Sequence, residues 1–150
     1  MKNIEFDREE IEGIFHSAES SLFSESSIHW LNYDLPFTCM NISEVIDQVK
    51  NLPIVYCIWI SDGLEPRPIY VEHSSASLSR QRLFNHFVDK HVKTGAKLEK
   101  VKEALLNGKR IGISFLRIEP DYMRKPLEEW LISRNSDKLV WNIHGKLKRR

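Results

Sequence analysis

From Ile54 to Ile60 the chain reads IVYCIWI, a continuous apolar run rich in β-branched and aromatic residues. It is too short for a comfortable helix, so it predicts a buried central strand. Ser61, Asp62 and Gly63, with Pro66 and Pro68, mark a turn, and Ile69 to Glu72 reads as the returning strand of a hairpin. The pattern then changes period. Between Ser79 and His91, Leu83, Phe87 and Val88 fall on one helical face, while Arg82 and His86 fall one turn apart on another. Lys97 to Leu106 predicts a second amphipathic helix, closed by Asn107 and Gly108. Ile111 to Ile118 (IGISFLRI) reads as a third strand, and Pro126 to Ile132 as a helix with proline in its first turn.

Upstream of the apolar run the pattern is weaker. Ile4, Ile11, Ile14 and Phe15 sit at roughly helical spacing in an acidic segment, which suggests a short peripheral amphipathic helix. Ser17 to Ser27 reads as a loop or mobile connection. Asn41 or Ser43 can cap a short helix with Val45, Ile46 and Val49 as its apolar stripe, ended by Pro53. The expected fold class is α+β, a small three-stranded antiparallel sheet flanked by helices, with an N-terminal helical extension.

At 150 residues and 17.7 kDa, one domain over 1–150 is expected. Hydrophobic residues at 41% and charged residues at 29% give ordinary globular composition and exclude a disordered chain. Lys and Arg number 22 against 21 Asp and Glu, so contact with a polyanion needs a local cluster. Cys39 and Cys57 lack CxxC spacing and suggest neither zinc nor a disulfide framework, and no apolar run approaches the roughly 20 residues that span a bilayer. A reduced, cytoplasmic protein without membrane insertion is the expectation.

The order of polar residues resembles the GIY-YIG nuclease family. Ile54-Val55-Tyr56 stands at the GIY position and Tyr70-Val71-Glu72 at the YIG position. Arg82-Leu83-Phe84-Asn85-His86 is similar to the family's arginine helix in its restriction-enzyme branch, where a histidine follows one turn later. Glu128-Glu129-Trp130-Leu131-Ile132 looks like the metal-binding glutamate, and Trp141-Asn142 like the closing asparagine. The resemblance covers a core of about 54–145, leaving an N-terminal extension over 1–53. Ile54 and Glu72 stand where both motifs carry glycine, and Glu72 brings negative charge near the phosphate site.

The resemblance implies a DNA endonuclease using Mg²⁺ (or Mn²⁺). Phosphodiester hydrolysis needs an activated water, compensation of phosphoryl charge and stabilisation of the leaving oxygen. Tyr56 is the expected general base, with His86 as the helper that takes its proton or favours the phenolate; Tyr70 holds the water or a phosphate oxygen. Arg82, with Arg80 as its rival, pairs with the scissile phosphate. Glu128 is the expected metal ligand, with Glu129 and Glu72 as alternatives, and Asn142 supports the site by hydrogen bonding. Phosphate contacts are expected from Lys90, Lys93, Lys97, Lys146, Lys148, Arg149 and Arg150. Restriction-like cutting of duplex DNA favours a homodimer.

Taken singly, each residue has a plainer role. A strand tyrosine packs, Arg82 and His86 form a solvated helix face, and Glu128 complements a helix dipole. The ordered set is what points to a nuclease. The alternative is a nuclease-like fold without catalysis that binds nucleic acid or protein, favoured by the lost glycines. His16, His29, His73, His91 and His144 show no metal-ligand spacing and read as structural or surface residues.

Overall fold

A computed structural model describes residues 1–34, 36–89 and 97–142. Helix α1 (Arg8–Leu22) is followed by the short strands β1 (His29–Trp30), β2 (Tyr33–Asp34) and β3 (Thr38–Cys39) and helix α2 (Ile42–Asp47). Then come β4 (Ile54–Ser61), β5 (Arg67–Ser74), α3 (Ser79–Phe87), α4 (Leu98–Leu106), β6 (Arg110–Arg117) and α5 (Arg124–Arg134). The class is α+β, with an antiparallel sheet in the order β1-β6-β4-β5 and a separate β2-β3 ribbon. The expected three strands are therefore joined by a fourth, the two-residue β1, on the free edge of β6.

Strand β4 is buried along its whole length because helices cover both faces of the sheet. Ile54, Tyr56, Ile58 and Ile60 face one core with Val45 and Ile46 of α2, Leu83 and Phe87 of α3, and Val101 and Ala104 of α4. Val55, Cys57 and Trp59 face the other core with Phe15 and Leu22 of α1 and Leu127, Leu131 and Ile132 of α5. Alternation along one strand thus feeds two cores, and each fully buried aliphatic or aromatic side chain contributes about 1.5–3 kcal/mol. Buried polar atoms are tied in sequence: Trp59 Nε1 donates to Ser114 Oγ at 2.8 Å, and Ser114 Oγ donates to the Leu22 carbonyl at 2.7 Å.

Two expectations are corrected. The serine-rich segment does not break the chain at Ser17; α1 runs through it to Leu22, because Phe15, Ala18 and Leu22 continue one apolar stripe against α5 and β6. Asn41 precedes α2 without capping it through its side chain, which instead donates to the Trp30 carbonyl and accepts from the Asn32 amide. Gly112 is required by the close approach of β1: a Cβ there would lie 2.5 Å from Ile28 Cγ2 and 3.0 Å from Trp30 Cε3. No helix among the described residues is long and apolar enough to cross a membrane.

Candidate functional site

The site is built by strand register. Tyr56 on β4 lies directly opposite Glu72 on β5, and Ile58 lies opposite Tyr70, so Tyr56, Tyr70 and Glu72 share one face of the sheet. The register shifts between Ile58 and Trp59, where β5 carries one extra residue, Ile69, between Pro68 and Tyr70. This bulge puts the neighbours Ile69 and Tyr70 into the same core, and Pro68 is tolerated because β5 is an edge strand. Helix α3 packs over that face through Leu83 and Phe87, which brings Arg82 and His86, one turn apart, to the tyrosines.

Glu72 is the hub. Its Oε1 accepts from the Tyr56 hydroxyl at 3.0 Å and from Arg82 Nη1 at 2.6 Å, and its Oε2 accepts from the Tyr70 hydroxyl. The Tyr56 oxygen also lies 2.7 Å from His86 Nε2, and the Lys97 amide donates to His86 Nδ1 at 2.9 Å. A ring nitrogen that accepts carries no proton, so this arrangement assigns the neutral tautomer with hydrogen on Nε2. His86 therefore donates to Tyr56, and Tyr56 donates to Glu72. Of the two helping roles expected of His86, taking the tyrosine proton is therefore excluded, which leaves donation to the Tyr56 oxygen.

Electrostatics agree with that direction. Burial pushes His86 down to about 4, so the imidazole is neutral at pH 7. Burial, then the Glu72 charge, raises Tyr56 well above the ordinary phenol range, and the same two causes raise Tyr70. Burial alone would raise Glu72 too, but His86, Tyr70 and Arg82 outweigh it and hold the carboxyl below its ordinary value. Because His86 is neutral at pH 7, we attribute the ionised state there to Tyr70 and Arg82. The ordinary values of 10.0 for the phenol and 4.5 for the carboxyl already keep a proton on Tyr56 rather than Glu72 by roughly 7 kcal/mol. Tyr56 is thus a neutral phenol in this arrangement.

Four expected residues, Tyr56, Tyr70, Arg82 and His86, meet in one network, while Asn142 bonds the outer edge of β5 and Glu128 lies against His73, which points to the other face of the sheet. Asn142 accepts from the Val71 amide and donates to the Val71 carbonyl, both at 2.9 Å, so its side chain acts as a short extra strand. It fixes the residue between Tyr70 and Glu72. Glu128 on α5 lies 2.7 Å from His73 Nδ1 through its Oε2, and its charge still reaches Tyr70, where it adds to the upward shift. Arg80 is exposed and takes no part in the network, and Glu129 is exposed on α5. Lys97 belongs to the site: its ammonium sits over the Tyr70 ring, 5.2 Å from the centroid. Lys90, Lys93, Lys146, Lys148, Arg149 and Arg150 lie outside the described residues.

Among the described residues no three His, Cys, Asp or Glu side chains gather as a metal cluster. A Mg²⁺ ion does not require one, since it keeps several waters and takes one or two carboxylates plus substrate oxygens. Glu128 fits that demand as a hard oxygen donor, only 15% exposed in its side chain and held in place by His73. His73 was not singled out by spacing. Its signal was alternation, which puts it on the opposite face of β5 from Glu72, towards α5. A groove of about 420 Å³ lies elsewhere, between α1, the end of β6 and the start of α5, and is mainly apolar.

In comparisons with known proteins, no family model, no curated protein and no solved structure matches the chain.

Proposed function

We propose that this protein is a metal-dependent endonuclease that hydrolyses phosphodiester bonds of DNA. The observation that carries the reading is the convergence of Tyr56, Tyr70, Arg82 and His86, drawn from two strands and a helix, on one anion-holding network. Arg82, always charged and planar, pairs with the phosphoryl oxygens, and its side chain is 43% exposed, so a backbone can reach it. Tyr70 donates to a second oxygen of the same group. Tyr56, a neutral phenol in this arrangement, serves as general base only after its own proton has left for solvent, and the hydrogen bond from His86 then favours the phenolate against the burial that opposes it. Glu128, with His73 behind it, would hold Mg²⁺ or Mn²⁺, which supplies charge stabilisation at the leaving oxygen. Asn142 positions the strand that carries Tyr70.

A second reading has its own observation. Glu72 fills the phosphate position with a carboxylate, which favours a nuclease-like fold that binds nucleic acid or protein without cutting. Supercoiled plasmid incubated with the protein and Mg²⁺, Mn²⁺ or EDTA separates the two. Nicked or linear product with metal alone supports cutting; binding without product under every divalent ion supports the second reading.

A further inference from the structure

Two hydroxyls and one guanidinium converge on the Glu72 carboxylate: Tyr56 and Arg82 on Oε1 at 3.0 and 2.6 Å, and Tyr70 on Oε2. The Lys97 ammonium stands nearby over the Tyr70 ring. Such a donor set is as well suited to the non-bridging oxygens of a phosphoryl group as to a carboxylate, because both present two acceptor oxygens on one anionic centre. A phosphate cannot simply join Glu72 there. Two anions would then share one guanidinium in a site where burial has already removed most of the water, and like charges a few ångströms apart repel strongly under those conditions.

Exchange of one anion for the other avoids that cost. Each tyrosine hydroxyl and the Arg82 guanidinium keeps an acceptor, and the charge count in the pocket does not change. Glu72 has a way out, since β5 is the sheet edge and the side chain is still 17% exposed; rotation about its own bonds releases it without moving the backbone. A tethered carboxylate also competes at an effective concentration set by its short side chain, which keeps weak anions out. A proton-relay role suits Glu72 poorly, because the carboxylate is surrounded by donors and Tyr56 is a far weaker acid.

We propose that Glu72 is an internal competitor of substrate: its carboxylate occupies Tyr70 and Arg82, the phosphate-binding donors, and also holds the Tyr56 hydroxyl, and a phosphoryl oxyanion binds only by displacing it. The inference rests on the endonuclease reading of the same site, but its test does not depend on cutting. Inorganic phosphate is titrated, without metal, into the wild type, Glu72→Gln, Glu72→Gly and the double variant Glu72→Gln with Arg82→Ala, with binding followed by NMR shifts of the site residues. A fluorescent duplex oligonucleotide in EDTA is titrated in parallel.

Both single variants are expected to bind phosphate about tenfold tighter or more, the scale for removing a like charge beside a bound anion, and the double variant is expected to lose the gain. Unchanged or weaker phosphate binding in the single variants, or a gain that survives Arg82→Ala, overturns the proposal. Loss of cooperative melting in both single variants overturns it as well, since Glu72 would then be a structural ion-pair partner. If the variants gain phosphate affinity and no form cuts plasmid, Glu72 is a competitor and the nuclease reading fails. If the wild type cuts plasmid and the variants gain nothing, the nuclease reading stands and the competitor fails.

Discussion

His86 is buried and held neutral between the Tyr56 hydroxyl and the Lys97 amide, which makes the folded state reluctant to take a proton. An unfolded chain protonates the same histidine near its ordinary 6.5, whereas the folded chain waits until about 4. The unfolded state therefore binds more protons as pH falls, and the stability owed to neutral His86, whole above 6.5, is lost progressively down to about 4. The loss amounts to roughly 3 kcal/mol. Glu72, held below its ordinary 4.5, adds a further loss that sets in as pH falls through that value. Replacing His86→Gln should flatten the dependence of Tm on pH between 6.5 and 4; an unchanged slope would show that another group titrates there. The residue types of this cluster were legible in the sequence as an ordered set. The direction of the proton on His86 was not, because it depends on the Lys97 backbone amide, a contact that no residue identity encodes. The partnership of His73 with Glu128 was hidden for a similar reason, as it needs α5 to lie across β5.

Strand β5 shows what one capped edge is worth. The Asn142 amide satisfies both the N–H and C=O of Val71, so Asn142→Ala leaves two half-buried backbone groups to water and loosens the strand that carries Tyr70 and Glu72. A cost of about 1–3 kcal/mol is expected, with Tm lowered by several degrees. Equal melting of variant and wild type would mean that the strand needs no such support. At the other edge, Gly112→Ala drives a Cβ into Ile28 and Trp30 and should cost a similar amount, about 1–3 kcal/mol, read by the same melts together with loss of Trp30 burial by fluorescence. The three long strands and the helices that follow them were readable because strong apolar runs and helical stripes set them. Strand β1 was not, since two residues carry no periodicity and the pairing with β6 spans most of the chain. Helix α1 passed through its serines because packing of Phe15, Ala18 and Leu22 outweighs the weak helix propensity of serine.

Across the whole molecule, the chain carries 22 basic against 21 acidic residues, so the proposed DNA binding would depend on where the charge is placed and not on net charge. Residues 1–53 are part of the packing that supports the site: Leu31, Val45 and Ile46 fill the core beneath the tyrosines, and Phe15 and Leu22 fill the core beneath α5. The basic tail lies outside the described residues, yet its composition alone supports a prediction. Replacing Lys148, Arg149 and Arg150 together with alanine should weaken DNA binding and flatten the plot of log affinity against log salt by up to roughly 3, about 0.9 for each lost phosphate contact. Identical salt slopes would exclude the tail from the interface.

The endonuclease reading turns most directly on cleavage of a labelled DNA duplex by the wild type and by Glu128→Gln, purified alike and compared in the same Mg²⁺ buffer. The wild type is expected to cut. The variant, which keeps the shape of Glu128 but not its charge, is expected to lose cutting by about a hundredfold or more while binding DNA in EDTA at least as well. A wild type that binds the duplex and leaves it whole with Mg²⁺ and Mn²⁺ alike would contradict the endonuclease assignment.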